Sequence, residues 1–378
     1  MARRSISHNI IKFIIQALTI CVSVCFLATC LTPYLSPDKF WWVGFAGIAA
    51  PYIIILLLFS ILFWLFVKPL WAISLLIMLL IGYRQVSVVF AFHFKNTFSE
   101  KKDSTNIRIV DWNLRGFNGL YQSRNTKKMV RTELAESILK LNPDIICLQE
   151  FNHSYGTTTH PHEQANNIDL FTPTHPYYYF SKDYKTANGY TAGSIIFSKF
   201  PIIDTGRLRF PKGESALFID IQKGTDTIRI YTTHLQSFKF KKNDYENIDK
   251  VENNDSAALT ASKNVFEKMR PAFKKRAIQA DLLKEWLQNT PHPSILTGDF
   301  NDVPNSYTYF TIRGNRQDAF LQKSCGIGRT FVSLAPTLRI DYILPDKSFK
   351  VKQFELEDEG LSDHFMLVAD LKKIVVIR

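Results

Sequence analysis

Eight polar side chains stand at the ends of short apolar runs, in positions where a fold would not require them. Carboxylates, imidazoles and amides at such positions can bind metal ions, move protons and hold anions. Each has an ordinary explanation alone, such as a turn-forming Asn, a surface carboxylate or a histidine satisfied within the core. Together they predict one site where several strands end: Asn113, Glu150, His234, Asp299, Asn301, Asp341, Asp363 and His364.

The stretch Ile295–Asn301 indicates how such a site is presented. A short apolar strand ends in Gly298, and alternate residues of extended backbone share a face, so Asp299 and Asn301 lie on the same side. Pro304 follows with turn chemistry, which favours an exposed strand end. The sequence therefore predicts an acid and an amide delivered together to the edge of a sheet.

Three of the eight side chains suit a hard metal ion. Mg²⁺ prefers oxygen ligands and keeps several waters, so it needs only one or two carboxylates plus substrate phosphate. Glu150 together with Asn113 or Asp363 could supply these ligands. We therefore expect a Mg²⁺ site, with Mn²⁺ as a possible substitute.

The other five side chains suit the hydrolysis of a phosphodiester. Asp299 is suited to orienting and deprotonating a water molecule. Asn301, His234 and His364 can stabilise the charge that develops on phosphoryl oxygens. Asp341 could fix the tautomer of His364 and hold its ring protonated. Whether Asp299 or His364 takes the proton is left open by the sequence.

From residue 106 the pattern changes to short β-rich runs separated by polar turns, which predicts an α/β or α+β domain over residues 106–378, preceded by a linker at 96–105. On the second of two predicted helices, Lys274, Lys275 and Arg276 are expected to be exposed. The predicted helices are Lys127–Leu141 and Val265–Gln288, and the predicted strands include Ile107–Asn113, Asp144–Glu150, Gly193–Ser198, Ala216–Ile221, Ile228–His234 and Arg339–Leu344.

The basic charge of the chain is concentrated at its N-terminal end. The net charge of the 378 residues is +12. Residues 1–102 contain nine Lys and Arg but only two acids, a balance of +7, so the remaining residues carry only +5. Such a distribution is typical of the flanks of membrane segments rather than of a nucleic-acid-binding surface.

Residues 1–95 are predicted to form a transmembrane region of about three helices, over residues 10–31, 40–67 and 70–90. A cleaved signal peptide is the alternative for the first run, but its apolar stretch is usually shorter and is followed by a small-x-small cleavage site. A re-entrant or interfacial segment is the alternative for the third run, whose uninterrupted part falls short of the ~20 residues that a span needs.

The basic residues of the short flanks predict the orientation of these helices. Arg3, Arg4 and Lys68 favour the cytoplasmic side, against Lys39 alone in the first loop. With three spans, everything after the third lies on the extracytoplasmic side of the cell (inner) membrane.

The motifs from Ile107 to Leu371 resemble, in their order, the endonuclease/exonuclease/phosphatase superfamily, which includes DNase I-like nucleases and neutral sphingomyelinases. The membrane segments lie outside the resemblance and indicate a membrane-anchored, bacterial-type member. The motifs are Asp-Trp-Asn113, Cys-Leu-Gln-Glu150, Gly193-Ser-Ile-Ile-Phe-Ser-Lys-Phe-Pro201, Thr232-Thr-His-Leu235, Arg276-x-x-Gln279, Gly298-Asp-Phe-Asn301, Ile340-Asp-Tyr-Ile343 and Ser362-Asp-His364.

The resemblance implies an α+β fold, a four-layer α/β/β/α sandwich of the DNase I type. It implies that Glu150 binds metal, assisted by Asn113 and Asp363, that Asp299 activates the water, and that Asn301 and His234 hold the phosphate. It also implies that His364 is the charged or acid partner, paired with Asp341. One position departs from the pattern, because Thr232 stands where family members often carry Asn; Thr keeps a hydroxyl donor.

The expected function is that of a membrane-anchored, metal-dependent phosphodiesterase. Membrane attachment favours a lipid head group, and Tyr177–Phe180 could line an apolar approach or belong to the core. A metal-dependent nuclease is the first alternative, because Lys239, Lys241 and Lys242 follow His234 where a nucleic acid could pass. A catalytically silent sandwich used for binding is the second alternative. No protein partner is inferred, and inositol phosphates stay open as substrates.

Overall fold

Two β-sheets lie face to face with helices on both outer surfaces, as the computed structural model describes for residues 2–94, 98–117, 124–154, 166–187, 189–211, 213–240, 244 and 258–374. The expected four-layer sandwich is confirmed. Seven strands form sheet I in the order β13-β14-β2-β3-β6-β4 with β5 beside β6: β2 Ile107–Asn113, β3 Ile145–Ser154, β4 Tyr177–Phe180, β5 Tyr184–Lys185, β6 Tyr190–Ser198, β13 Phe349–Glu357 and β14 Met366–Lys373.

Five strands form sheet II in the order β12-β10-β9-β8-β7. A two-stranded ribbon pairs β1, Ala91–Phe92, with β11, Cys325–Gly326. The strands of sheet II are β7 Ile202–Arg209, β8 Ser215–Lys223, β9 Asp226–His234, β10 Ser294–Asp299 and β12 Asp341–Pro345. The helices are α1 Ala2–Cys30, α2 Trp42–Val67, α3 Pro69–Ile81, α4 Tyr83–Val86, α5 Arg124–Lys140, α6 Ala258–Gln288, α7 Tyr307–Arg313 and α8 Ala319–Lys323.

The alternation of side chains along β2 shows how the layers form. Ile107 and Ile109 are buried between the two sheets, whereas Val110 and Trp112 are buried on the outer face of sheet I beneath α5. Successive residues of a strand point to opposite faces, so a strand covered on both faces is apolar throughout. The same rule places Leu296 of β10 on the outer face of sheet II, beneath α6 and α7.

The strand directions bring the polar strand ends together. Strands β2 and β3 run parallel, and so do β9 and β10, while β14 and β12 run antiparallel to their neighbours. The carboxyl ends of the first four strands therefore share one edge of the sandwich with the amino ends of the last two. That shared edge is where the predicted site residues lie.

Among the described residues, two helical stretches qualify by length and composition to cross a membrane, Ile10–Cys30 and Trp42–Val67. The stretch expected as a third span, 70–90, is divided between the 13-residue helix α3, the single turn α4 and a non-helical end. A helix of 13 residues is shorter than the hydrocarbon core of a bilayer.

The N-terminal helices pack directly on the sandwich. A Cβ built on Gly44 of α2 would lie 2.5 Å from the ring of Phe273 in α6, and one on Gly47 would lie 2.6 Å from the carbonyl oxygen of Asn305. Asn305 also donates from Nδ2 to the carbonyl oxygen of Thr29, at 3.2 Å. Helix α2 therefore approaches α6 and the Asn305 backbone as closely as only glycine permits. The N-terminal helices and the sandwich share one apolar cluster.

Most predicted elements are confirmed with shifted ends, but one surface prediction is wrong. Arg276 is fully buried, where it pairs through Nε with Asp302 at 3.3 Å and donates from Nη1 to the carbonyl oxygen of Gln236 at 2.8 Å. Lys274 and Lys275, its neighbours, are half-buried and exposed respectively. Three adjacent side chains of a helix point in different directions, and of these three cations only Arg276 points toward the sheet.

Candidate active site

Three site residues form a single row across sheet II. Asp299 of β10 is in register with His234 of β9 on one side and with Asp341 of β12 on the other. Directly opposed residues of neighbouring strands carry side chains about 5 Å apart on one face. The sheet therefore places an imidazole, a carboxylate and a second carboxylate side by side.

Sheet I contributes Asn113 and Glu150 from the ends of neighbouring strands. Glu150 has a positive φ of 50°, and the pairing of β3 with β6 shifts register between Leu148 and Phe151. An irregularity of this kind turns a side chain out of the regular alternation of its strand. The Glu150 carboxylate, 41% exposed, consequently faces the cavity at the sheet edge.

The Asp299 carboxylate is fully buried and held by two donors. Its Oδ1 atom accepts a hydrogen bond from the backbone N–H of Asn301 at 2.7 Å, and its Oδ2 atom accepts one from Nδ2 of Asn113 at 3.0 Å. Burial, with the adjacent charge of Asp341, raises the pKa of Asp299 to about 6. A carboxylate with that pKa can accept a proton from water near neutral pH.

His364 precedes β14 and is bonded to Asp341. Its Nδ1 atom lies 3.0 Å from Oδ2 of Asp341, and its Nε2 atom lies 3.9 Å from Oδ2 of Asp299. Burial alone would lower the pKa of His364, but the charges of Asp341 and Asp299 outweigh it and raise that pKa to about 10. The ring of Phe331 packs on the imidazole with centroids 4.9 Å apart. The ring is thus held as an imidazolium with one N–H directed toward Asp299.

His234 has a ring nitrogen without a protein partner among the described residues. Its Nε2 atom is buried, 3.7 Å from Oδ2 of Asp299 and 3.9 Å from Oε1 of Glu150. Both distances exceed that of a hydrogen bond, so this nitrogen is free to contact a ligand. The Nε2 atom of His234 therefore lies close to both carboxylates without a hydrogen bond to either.

Asn113 and Asn301 are both fixed by protein contacts. Asn113 accepts through Oδ1 from the backbone N–H of Arg115 at 3.0 Å, while its Nδ2 atom holds Asp299. Asn301 has a positive φ of 53°, and its Nδ2 atom donates to the carbonyl oxygen of Leu235 at 3.0 Å. The geometry thus makes Asn113 a positioning partner of Asp299, and its role as a metal ligand stays a prediction.

The donor set beside Asp299 fits a hard divalent cation. Glu150 and Asp363 both line the cavity, and Asp363 also pairs with Nε of Arg115 at 3.3 Å. Burial raises the pKa of Asp363, and the charge of Glu150 adds to this, whereas His364 and Arg115 lower it. Carboxylates that repel one another in this way are relieved by a divalent cation, and oxygen is its preferred donor.

A second group of side chains that could bind a metal ion is buried. Ligand atoms of Asp299, Asp341 and His364 all lie within 4.8 Å of one another. In this set, however, Asp341 is already bonded to the histidine, which makes the two an ion pair. Glu150 and Asp363, which line the open cavity, are the more accessible ligands.

A cavity of about 170 Å³ opens beside these residues. Six of the eight predicted side chains line it, namely Asn113, Glu150, Asp299, Asn301, Asp363 and His364, while His234 and Asp341 stand behind them. Most of its remaining lining, here called the apolar wall, comes from several parts of the chain: Ile48, Phe238, Phe240, Val303, Phe331, Leu334, Leu338 and Ile340.

Sequence reasoning did not find this apolar wall. Aliphatic and aromatic residues are common everywhere in the chain, so their type carries no signal before the fold brings them together. Tyr177–Phe180, for which an apolar approach or a place in the core was expected, forms an edge strand with Phe180 buried in the core, and it is absent from the described cavity wall. Lys239 does line the cavity, whereas Lys241 and Lys242 lie outside the described residues.

Two family models match the chain. One, described as "Endonuclease/Exonuclease/phosphatase family", matches residues 112–364 and so contains all eight site residues. The other, described as "Domain of unknown function (DUF8431)", matches residues 12–89, the helical region. No curated protein matches the chain.

Solved structures share the fold at low identity. The human nocturnin catalytic domain with bound sulfate is 19% identical, with 74% of this chain and 98% of that chain covered and a TM-score of 0.50. An endonuclease/exonuclease/phosphatase from Beutenbergia cavernae is 18% identical, with 71% and 72% covered and a TM-score of 0.49. One from Bacteroides vulgatus is 18% identical, with 72% and 100% covered and a TM-score of 0.47.

Proposed function

The chain belongs to the endonuclease/exonuclease/phosphatase family, whose members hydrolyse phosphoester bonds, and from this premise we propose that it is a divalent-metal-dependent phosphodiesterase anchored in a membrane. Its favoured substrate is a lipid with a phosphodiester in the head group. One observation carries the proposal: Glu150, Asp299 and His364 meet at a cavity that the apolar wall also lines.

Asp299 is the base that activates water in this proposal. Its Oδ2 atom lies between two imidazole Nε2 atoms, 3.7 Å away in His234 and 3.9 Å away in His364. A water bound there would donate one proton to the carboxylate and attack phosphorus in line with the leaving oxygen. The hydrogen bonds from Asn301 and Asn113 hold the carboxylate in place for this step.

His364 and His234 stabilise the phosphoryl group. The imidazolium of His364, held by Asp341, places a positive charge near the oxygens that gain negative charge in the transition state. His234 supplies an Nε2 atom that has no protein partner among the described side chains. Charge stabilisation in a buried site acts through a lower dielectric than water and is correspondingly strong.

Glu150 and Asp363, assisted by Asn113, would hold the divalent cation. Mg²⁺ is the favoured ion and Mn²⁺ the substitute, because the available donors are oxygen atoms. A bound cation supplies Lewis-acid polarisation of a phosphoryl oxygen. The proposed ligands are those on the open side of the cavity.

The apolar wall and the membrane helices favour a lipid over a soluble phosphoester. A lipid phosphodiester joins a polar head group to a hydrocarbon body, and the cavity is lined by both polar and apolar side chains. The small positive charge after residue 102 gives a polyanion little attraction. We therefore place a lipid head group first.

A nuclease is the second candidate, and one observation favours it. The rings of Phe238 and Phe240 stack with centroids 5.2 Å apart, and Lys239 between them also lines the cavity. Aromatic rings beside a cation form the kind of surface on which bases of single-stranded nucleic acid stack. A catalytically silent binding sandwich is the third candidate and predicts no turnover.

A metal-dependent activity panel on the full-length protein in phospholipid vesicles tests the proposal. Substrates are phospholipids, inositol phosphates and single- and double-stranded DNA, each with EDTA, Mg²⁺ or Mn²⁺. We expect head-group release from a phospholipid, abolished by EDTA and by Asp299→Asn. A dominant, salt-sensitive DNA activity would establish the nuclease instead, and no turnover of any substrate would establish the silent sandwich.

A further inference from the structure

One residue of the active-site wall comes from a helix long enough to cross a membrane. Ile48 lies in the second turn of α2 and is half-buried at the cavity that Glu150, Asp299 and His364 line. The other apolar residues of that wall come from the catalytic part. The active-site cavity is therefore completed by the helical region.

The position of Ile48 is fixed by close packing on either side of it. Gly47 abuts the backbone of Asn305, and Val303, which lines the same cavity, lies within 3.6 Å of a Cβ built there. One turn later the hydroxyl of Tyr52 contacts Oγ1 of Thr337 at 3.4 Å. Contacts before and after Ile48 hold α2 against the rim, so that its side chain cannot leave the wall without unpacking the helix.

An apolar stripe continues from Ile48 along α2. Residues four, seven and eleven positions further on share its face, because a helix turns once in 3.6 residues. They are Tyr52, Ile55 and Phe59, which are 44%, 38% and 64% exposed. No charged residue occurs between Phe40 and Val67. The stripe thus runs without a polar break from the cavity to the part of the helix that would face lipid.

We propose that this stripe, Ile48, Tyr52, Ile55 and Phe59, binds the hydrocarbon body of a lipid substrate while its phosphodiester occupies the catalytic cavity. The inference rests on the proposed function and adds that the helical region takes part in substrate selection. The substrate then enters sideways from the bilayer in which the enzyme is anchored.

Hydrocarbon suits this surface better than a protein or a nucleic acid does. The stripe offers aliphatic and aromatic contacts, and of its four residues only Tyr52 carries a polar atom, which already meets Thr337. A helix of this length and composition lies in hydrocarbon when it crosses a membrane, so acyl chains are already in contact with its outer part. Each methylene transferred onto such a surface contributes through the hydrophobic effect.

The test compares two phosphodiester substrates on the full-length protein in vesicles. One is a long-chain phospholipid, and the other is bis(p-nitrophenyl) phosphate, which has no hydrocarbon chain. Ile48→Trp places a larger ring at the junction of cavity and stripe. Ile77→Trp is the matched control, because Ile77 is 54% exposed on α3 and contributes to neither surface. Ile48→Leu keeps the size and the apolar character.

We expect Ile48→Trp to lower the ratio of the lipid rate to the soluble-diester rate about tenfold, equivalent to about 1.4 kcal/mol. Ile77→Trp and Ile48→Leu should leave that ratio unchanged. An unchanged ratio in Ile48→Trp, or an equal fall in Ile77→Trp, overturns the inference while the phosphodiesterase stands. Failure of the wild type to hydrolyse either diester overturns the proposed function and this inference with it.

Discussion

The Nδ1 atom of His364 lies 3.0 Å from the Oδ2 atom of Asp341, and both groups are buried. In the register of sheet II, Asp341 is also the direct neighbour of Asp299. One carboxylate therefore raises the pKa of the imidazole on one side and that of the proposed base on the other. The negative charge of Asp341 therefore favours the protonated form of both groups.

The pH dependence of activity should report on this pair. In the wild type, activity should rise as Asp299 loses its proton near pH 6 and fall as His364 loses its proton near pH 10. Asp341→Asn removes a negative charge that raises both pKa values, so both limbs should move to lower pH. The measurement is kcat/KM against pH, with the exposed Asp358→Asn as control. An unmoved alkaline limb in Asp341→Asn would contradict the assignment of His364.

Asp299→Asn should lower turnover by about 10²- to 10⁴-fold, the range for a lost general base. The amide keeps an oxygen acceptor for the backbone N–H of Asn301, so the fold should survive. Because burial and Asp341 raise the pKa of Asp299, its charge is unfavourable above pH 6. The melting temperature of Asp299→Asn at pH 8 should consequently be equal to or higher than that of the wild type. Unreduced turnover would exclude Asp299 as the base.

Glu150→Gln should weaken the binding of Mg²⁺ and leave the fold intact. Replacing a charged ligand should lower the apparent affinity for Mg²⁺ at least about tenfold, since even outer-shell partners contribute that much. Activity against Mg²⁺ concentration gives one readout, and the rise in melting temperature on adding Mg²⁺ gives another. Glu359→Gln, an exposed change, is the control. Equal metal affinity in both variants would remove Glu150 from the ligand set.

Gly298→Ala should displace the neighbouring Asp299. Gly298 has a φ of +134°, and a Cβ there would lie 2.0 Å from the carbonyl oxygen of Thr233 in the adjacent strand. Gly213→Ala is a matched control, because Gly213 has a φ of +148° with open space around it. Only Gly298→Ala should lose activity, together with about 1–3 kcal/mol or more of stability. Similar melting temperatures for the two variants would mean that the close approach to Thr233 is unimportant.

Labelling of Cys325 should reveal the side of the membrane on which the catalytic part lies. Cys325 is exposed and lies in β11, which pairs with β1, the strand that follows α4. A membrane-impermeant maleimide should label it in intact cells if the flanking charges orient the helices as predicted. Cys325→Ser controls for other thiols. Labelling that occurs only after lysis would place the domain in the cytoplasm.

The site residues could be predicted from sequence because strand patterns are local. A polar residue that closes an apolar alternation, such as Asn113 or His234, is visible without the fold. The row that joins His234, Asp299 and Asp341 depends on the register of three strands, and no local pattern contains it. The same holds for Glu150, whose direction comes from an irregularity in β3.

The buried position of Arg276 and the pocket position of Ile48 were missed for a related reason. A cation beside two lysines has the composition of a solvated helix face, and the burial of Arg276 depends on Asp302, which lies 26 residues away. Ile48 is one of many aliphatic residues in α2, and only the packing of Gly44 and Gly47 brings it to the cavity.

The close packing of α2 on α6 also affects how the protein can be produced. Phe273 packs on Gly44 and meets Phe45 edge to face, and Phe266 stacks on Phe45 with ring centroids 4.7 Å apart. A shortened version that begins after β1 would present the rings of Phe266 and Phe273 to water, and β11 would lose its pairing partner. Exposed aromatic patches and open strand edges promote aggregation. We therefore expect such a shortened version to need detergent, even though it lacks the long apolar helices.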